Sequence, residues 1–113
     1  MVVGVSQIAF SLPGNDSLKG KRSIVRRIVD RTRAKFNVAV AEVDALDAHR
    51  RAVIGVSVVS NDARHANSML DHIGSFMSGI SEAVVVGRTL EILHVEGEPQ
   101  DLPNMAGFGD GED

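Results

Sequence analysis

The sequence predicts an α+β domain: a four-stranded antiparallel sheet with two helices packed on one of its faces. Two observations carry that expectation. Four short segments are rich in β-branched residues, and two longer ones repeat apolar residues at three- and four-residue steps. With 113 residues, the chain is long enough for one hydrophobic core and too short for two of ordinary size. The folded domain is expected over 1–96, followed by an acidic, disordered tail over 97–113.

Residues 2–12 form the first predicted strand, with Gly4, Ser6, Ile8, Phe10 and Leu12 on one face and Val3, Val5, Gln7, Ala9 and Ser11 on the other. The run Pro13-Gly14-Asn15-Asp16 is turn chemistry, and Ser17 stands where a hydroxyl would cap a helix. Leu18, Val25, Ile28, Val29, Thr32 and Phe36 then make one apolar stripe from about 18 to 36, weakened in its first turn by Gly20. Asn37 is placed to close that helix.

Val38, Val40 and Glu42 alternate with Ala39, Ala41 and Val43 in the second strand, and the polar run from Asp44 to Arg51 is a connection. Residues 52–60, AVIGVSVVS, read as a central strand, with Gly55 marking a bulge or a close approach. Ser60, Asn61 and Asp62 each suit a second helix cap, and Ala66, Leu70, Ile73, Met77 and Ile80 continue at helical spacing. The last strand covers 83–95. The order βαββαβ is the split-βαβ, or ferredoxin-like, pattern, which hosts many unrelated functions.

The formal net charge of −3 conceals an asymmetry. Residues 96–113 hold six acids (Glu96, Glu98, Asp101, Asp110, Glu112 and Asp113) and no Lys or Arg, which leaves 12 basic and 9 acidic residues before them. Eight of those basic residues lie in one stretch: Lys19, Lys21, Arg22, Arg26, Arg27, Arg31, Arg33 and Lys35. On a helix, Lys19, Arg22, Arg26 and Arg33 flank the apolar stripe on one side, and Arg27, Arg31 and Lys35 on the other. Like charges four apart each destabilise a helix by roughly 0.2–0.5 kcal/mol, and Arg22/Arg26, Arg27/Arg31 and Arg31/Lys35 are such pairs.

Lys19, Lys21, Arg22, Arg26, Arg27, Arg31 and Arg33 are therefore the candidate contacts to an anionic partner, RNA above all. The competing reading is a solvated face whose charges pair with Glu42, Asp44 and the tail. Strands with only Phe10 as an aromatic lack the stacking platform of sheet-based RNA readers, so contact would run through phosphates.

Other chemistry is sparse. The chain has no cysteine, which excludes disulfides, thiolate metal sites and cysteine nucleophiles. Glu42, Asp44, Asp47 and His49 form an acidic cluster, with strand alternation placing Glu42 and Asp44 on the same side. That set has no motif spacing. His65 and His72 are too far apart along a helix to share a zinc ion. Neither a nucleophile elbow nor a phosphate loop is present, so the chain is expected to be noncatalytic and to need no cofactor. The start lacks the marks of a signal peptide or a membrane span, which makes the cytoplasm the default address and a membrane no partner.

The segment SLKGKRSIVRRIVDRTRAKFNVAVAEVD, after Leu12-Pro13-Gly14, resembles the YlxP-like family of small bacterial proteins of unknown function. The most specific parts are Ser17-Leu18-Lys19 with Lys21-Arg22-Ser23, and Phe36-Asn37-Val38 through Ala41-Glu42-Val43, followed by Gly55 and Asp62. The resemblance covers about residues 1–95 and implies a ferredoxin-like fold. Genes of that family often lie among those for translation initiation and ribosome maturation, which implies a link to RNA or the ribosome. Such proteins tend to carry an aromatic after the acidic turn; Asp47-Ala48-His49-Arg50-Arg51 has none.

Two function classes follow. One is a module that docks its basic helix on RNA or the ribosome. The other is a homo-oligomeric structural protein, or a small ligand- or metal-binding protein, in which another subunit covers the sheet face of Gly4, Ser6, Ile8 and Phe10 or a strand edge. Opposite charge in one short chain also suggests that the tail folds back on the basic helix and competes with its partner.

Overall fold

Alternation in the first segment decides where the core forms. Val2, Ser6, Ile8 and Phe10 are buried in the strand β1 (Val2–Ser11), as is Leu12 just beyond it. The structure, a computed structural model, describes residues 1–80 and 82–103. After β1 come α1 (Leu18–Lys35), β2 (Ala39–Asp44), β3 (Arg51–Ser60), α2 (Ala63–Ser78), β4 (Val84–Arg88) and β5 (Glu91–His94). All pairings are antiparallel, in the order β2-β3-β1-β4, with β5 also on β1. This is the ferredoxin-like arrangement.

Both helices lie on the inward face of β1. The core joins Ile8, Phe10 and Leu12 to Ile24 and Ile28 of α1, Ile54, Val56 and Val58 of β3, and Leu70, Ile73 and Met77 of α2. The face of Gly4, Ser6, Ile8 and Phe10, expected as one that a second subunit could cover, is therefore taken by this chain's own helices. The opposite face is the open one.

Gly4 sets the approach of α2, because a Cβ there would lie 2.9 Å from Leu70 Cδ1 and 3.1 Å from Val58 Cγ2. The helix caps fall where hydroxyl and carboxylate chemistry puts them. Ser17 Oγ accepts from the Gly20 amide at 3.0 Å, and Asp62 Oδ1 from the Arg64 amide at 3.0 Å. At its other end α1 stops at Lys35, capped by Phe36, extended at φ −126°, rather than by Asn37.

The final strand differs from a single run over 83–95. It breaks at Thr89-Leu90 into β4 and β5, both lying along β1. Side chains repair the gap: Ser6 Oγ donates to the Thr89 carbonyl at 2.6 Å, and Thr89 Oγ1 accepts from the Gln7 amide at 3.0 Å. Residues 97–103 form neither helix nor strand and are exposed. The remainder of the expected acidic tail, 104–113, lies outside the described residues. No helix among the described residues is long and apolar enough to cross a membrane.

Candidate anion-binding surface

The first turn of α1 is built around its start. Asn15 folds back so that its Nδ2 donates to the Ser17 carbonyl at 2.7 Å and to the His49 carbonyl in the β2–β3 connection. Its Oδ1 occupies the space that a Cβ on residue 20 would need, so Gly20, an apparent weakness in the helix, is what lets the loop close on it. The amide end of α1 carries no acid in its first turn. The helix dipole and Lys19 therefore add to one another there.

Lys21 does not belong to the anion-binding set. Its side chain is 1% exposed, with Nζ 3.0 Å from Glu42 Oε2 and donating to the carbonyls of Ala45 and, at 3.3 Å, Leu46. The approach to Oε2 is poorly aligned for a hydrogen bond, so that contact acts through charge, while the two carbonyls take the directed bonds. Ala45 has left-handed backbone (φ 56°), and the lysine holds this turn from beneath. At position 21 the chain faces the sheet rather than solvent. An apolar-stripe search passes over a lysine there, although Ile24, Val25 and Ile28 beside it are buried as well.

The other basic residues divide between the two edges of the helix. On the edge nearest β2, Lys19, Arg22, Arg26 and Arg33 are exposed. Arg33 Nη2 donates to the Val40 carbonyl at 3.2 Å and so covers an outward backbone group of an edge strand. On the edge facing α2, Arg27 Nη1 lies 3.5 Å from Glu82 Oε1, and Lys35 Nζ sits 4.9 Å from the centre of the Phe76 ring. Phe76 packs edge-on against Phe36 with centroids 5.6 Å apart. Arg31 is exposed. Among the described residues, Lys19, Arg22, Arg26, Arg31 and Arg33 have no carboxylate within 4.0 Å; Asp30, the one acid on α1, is exposed and pairs with none of them, and the two acids of β2 are engaged elsewhere. Glu42 is held by Lys21, and Asp44 Oδ1 accepts from the Ala45 amide at 2.7 Å.

The acidic cluster expected at the end of β2 is not assembled. The register slips between Glu42, which faces Ile54, and Asp44, which faces Val53. Residues paired across a sheet share a face, so the extra residue Val43 turns Asp44 to the open side while Glu42 stays on the helix side. Gly55 is where this bulge fits, since a Cβ there would lie 2.8 Å from Val43 Cγ1. Strict alternation counts no bulges, which is why the pair seemed to share a side. His65 and His72 are exposed on α2. Among the described residues no group of three or more His, Asp or Glu is placed to hold a metal ion.

Comparison with known proteins identifies the family. A family model described as a protein of unknown function, DUF503, matches residues 3–89. The uncharacterized protein YlxP of Bacillus subtilis strain 168 is 27% identical over 81 residues, covering 72% of this chain and 88% of that protein. The matched span runs from Val3 in β1 to Thr89 just after β4 and includes all of α1, β2, β3 and α2.

Proposed function

The chain belongs to the DUF503 family of proteins of unknown function, and from that premise we propose that it is a noncatalytic module that binds RNA, on the ribosome or during its assembly, through phosphates along α1. One observation supports this reading above the others: Lys19, Arg22, Arg26, Arg31 and Arg33 stand on a core-packed helix with no carboxylate partner among the described residues. Arg22 and Arg26 repel one another four residues apart on a helix whose one acid is Asp30. Guanidinium groups are suited to forked contacts with phosphate oxygens, and the amide end of α1, with no acid in its first turn, adds to the same field. Phe10 is fully buried, so the described strands offer no aromatic platform for bases and the contact is electrostatic.

Binding of the full chain to RNA and to ribosomal subunits, measured at several salt concentrations, tests this. If all five cations engage phosphates, log K falls with log salt at a slope of roughly −3.5 to −4.5, or about 100- to 500-fold between 50 and 200 mM. Arg22→Glu/Arg26→Glu is expected to abolish the interaction while leaving the fold intact, because both residues are exposed. Binding that is indifferent to salt, or unchanged in the double variant, would sink the proposal.

A further inference from the structure

The face of the sheet away from the helices is largely apolar, with Gln7 near its middle and Arg33 reaching it from α1. Val3, Val5 and Ala9 of β1, Val53 and Val59 of β3, and Leu93 of β5 share it, as cross-strand pairing requires. Val59 is 69% and Leu93 43% exposed. Its own charged residues lie at the rim: Glu91 on an outer strand, and Asp44 and Arg51 at the far end.

This face also has relief. The row Val59–Val3–Leu93 stands up as a ridge across three strands. Four residues further along β3, about 13 Å at 3.3 Å per residue, lies a shallow depression of about 570 Å³ floored by Gly55 and Ser57 and bordered by Ala41, Val43, Gln7 and Arg33. A two-fold axis crossing the strands at the level of Val5 and Ser57 would lay Val59 and Val3 of one copy over Gly55 and Gln7 in the depression of another, with Leu93 just beyond it over Thr89, in both directions at once. Ridge and depression on one surface, related by such an axis, are the self-complementarity that an isologous interface needs. The size also suffices. Four strands at about 4.8 Å spacing and 25–30 Å of strand length give roughly 500 Å² of projected surface per copy, and about 1,000 Å² for a pair, where specific interfaces begin.

We propose that the protein is a homodimer in which the open sheet faces of two copies pack on one another, Val59 of each seated over Gly55 and Ala41 of the other. The proposal rests on the apolar ridge and the depression, and shares only Arg33 with the RNA-binding surface.

Sedimentation velocity of the full chain across the micromolar range tests it, together with Val59→Asp/Leu93→Asp. Both positions are exposed, so the variant keeps its helical circular dichroism. The wild type is expected to sediment as a dimer and the variant as a monomer. A single Ser57→Cys in this cysteine-free chain provides a second readout. Packed sheets lie about 10 Å apart, too far for a disulfide but within reach of a short bis-maleimide, so this variant should cross-link in pairs while Ser23→Cys, on the exposed side of α1, should not. A monomeric wild type would overturn the proposal and leave the face to the chain's own C-terminal segment or to another protein. A dimer that survives Val59→Asp/Leu93→Asp, or that cross-links equally through Ser23→Cys, would overturn it as well.

Discussion

Lys21 shows how much a single position depends on which way its helix faces. Its charge resembles that of Arg22 beside it, yet Lys21 ties α1 to the turn after β2 while Arg22 meets water. Removing one partner of a buried ion pair costs about 3–5 kcal/mol. Glu42 keeps 19% of its side chain in solvent, so Lys21→Met is expected to lower stability by a smaller amount, about 2–3 kcal/mol. Urea denaturation checks this, and Lys21→Met/Glu42→Leu should recover the part of the loss due to the uncompensated Glu42 charge but not the part due to the Ala45 and Leu46 carbonyls. An unchanged midpoint in the single variant would mean that the pair contributes nothing. Arg26→Glu, by contrast, is expected to stay within about 0.5 kcal/mol of the wild type, separating the residues that build α1 from those that face a partner.

Among the elements, α2 and the sheet meet most closely at Gly4. The space there is filled by Leu70 and Val58, neither of which is the loose end of a polar side chain. Gly4→Ala is expected to destabilise by about 1–3 kcal/mol through overpacking, read as a lower urea midpoint at unchanged slope. Leu70→Ala in the same background should lose less than the sum of the two single changes, since it vacates the volume that the new methyl group needs. The two edges of α1 diverge for a related reason. The edge against α2 spends Arg27 on Glu82 and Lys35 on Phe76, whereas the edge above β2 faces a short strand whose Glu42 is already taken. The positive potential therefore gathers on the β2 side.

For the molecule as a whole, the sheet separates two surfaces of different character. Helices and cations lie on one side and an apolar face on the other, so a dimer closed through the sheets would carry its two basic helices on opposite outer surfaces. Each α1 would then engage phosphate independently, and a long RNA would gain avidity that a short one could not. If both proposals hold, Val59→Asp/Leu93→Asp should weaken binding to long RNA at least tenfold and leave binding to a short oligonucleotide unchanged, as measured by filter binding or fluorescence anisotropy. Equal losses on both would show that the sheet face contacts RNA directly.

Local sequence determined the order of elements as far as the last strand, the cap at Ser17, a second cap among Ser60, Asn61 and Asp62, the buried stripe of α2 and the placement of basic residues on α1, because all of these depend on neighbours within a turn or a strand. Only the tertiary structure decided what long-range contact governs. Lys21 is withdrawn from solvent because Glu42 and Ala45, more than twenty residues away, meet it. The acidic cluster dissolves because Val43 bulges over Gly55, and the last strand breaks at a place that Ser6 and Thr89 hold together. Alternation divided β1 into two faces correctly, but it could not say which of them the helices would cover. That choice belongs to packing, since the side bearing Ile8, Phe10 and Leu12 offers the larger apolar volume for burial, leaving Val59 and Leu93 on the surface that remains open.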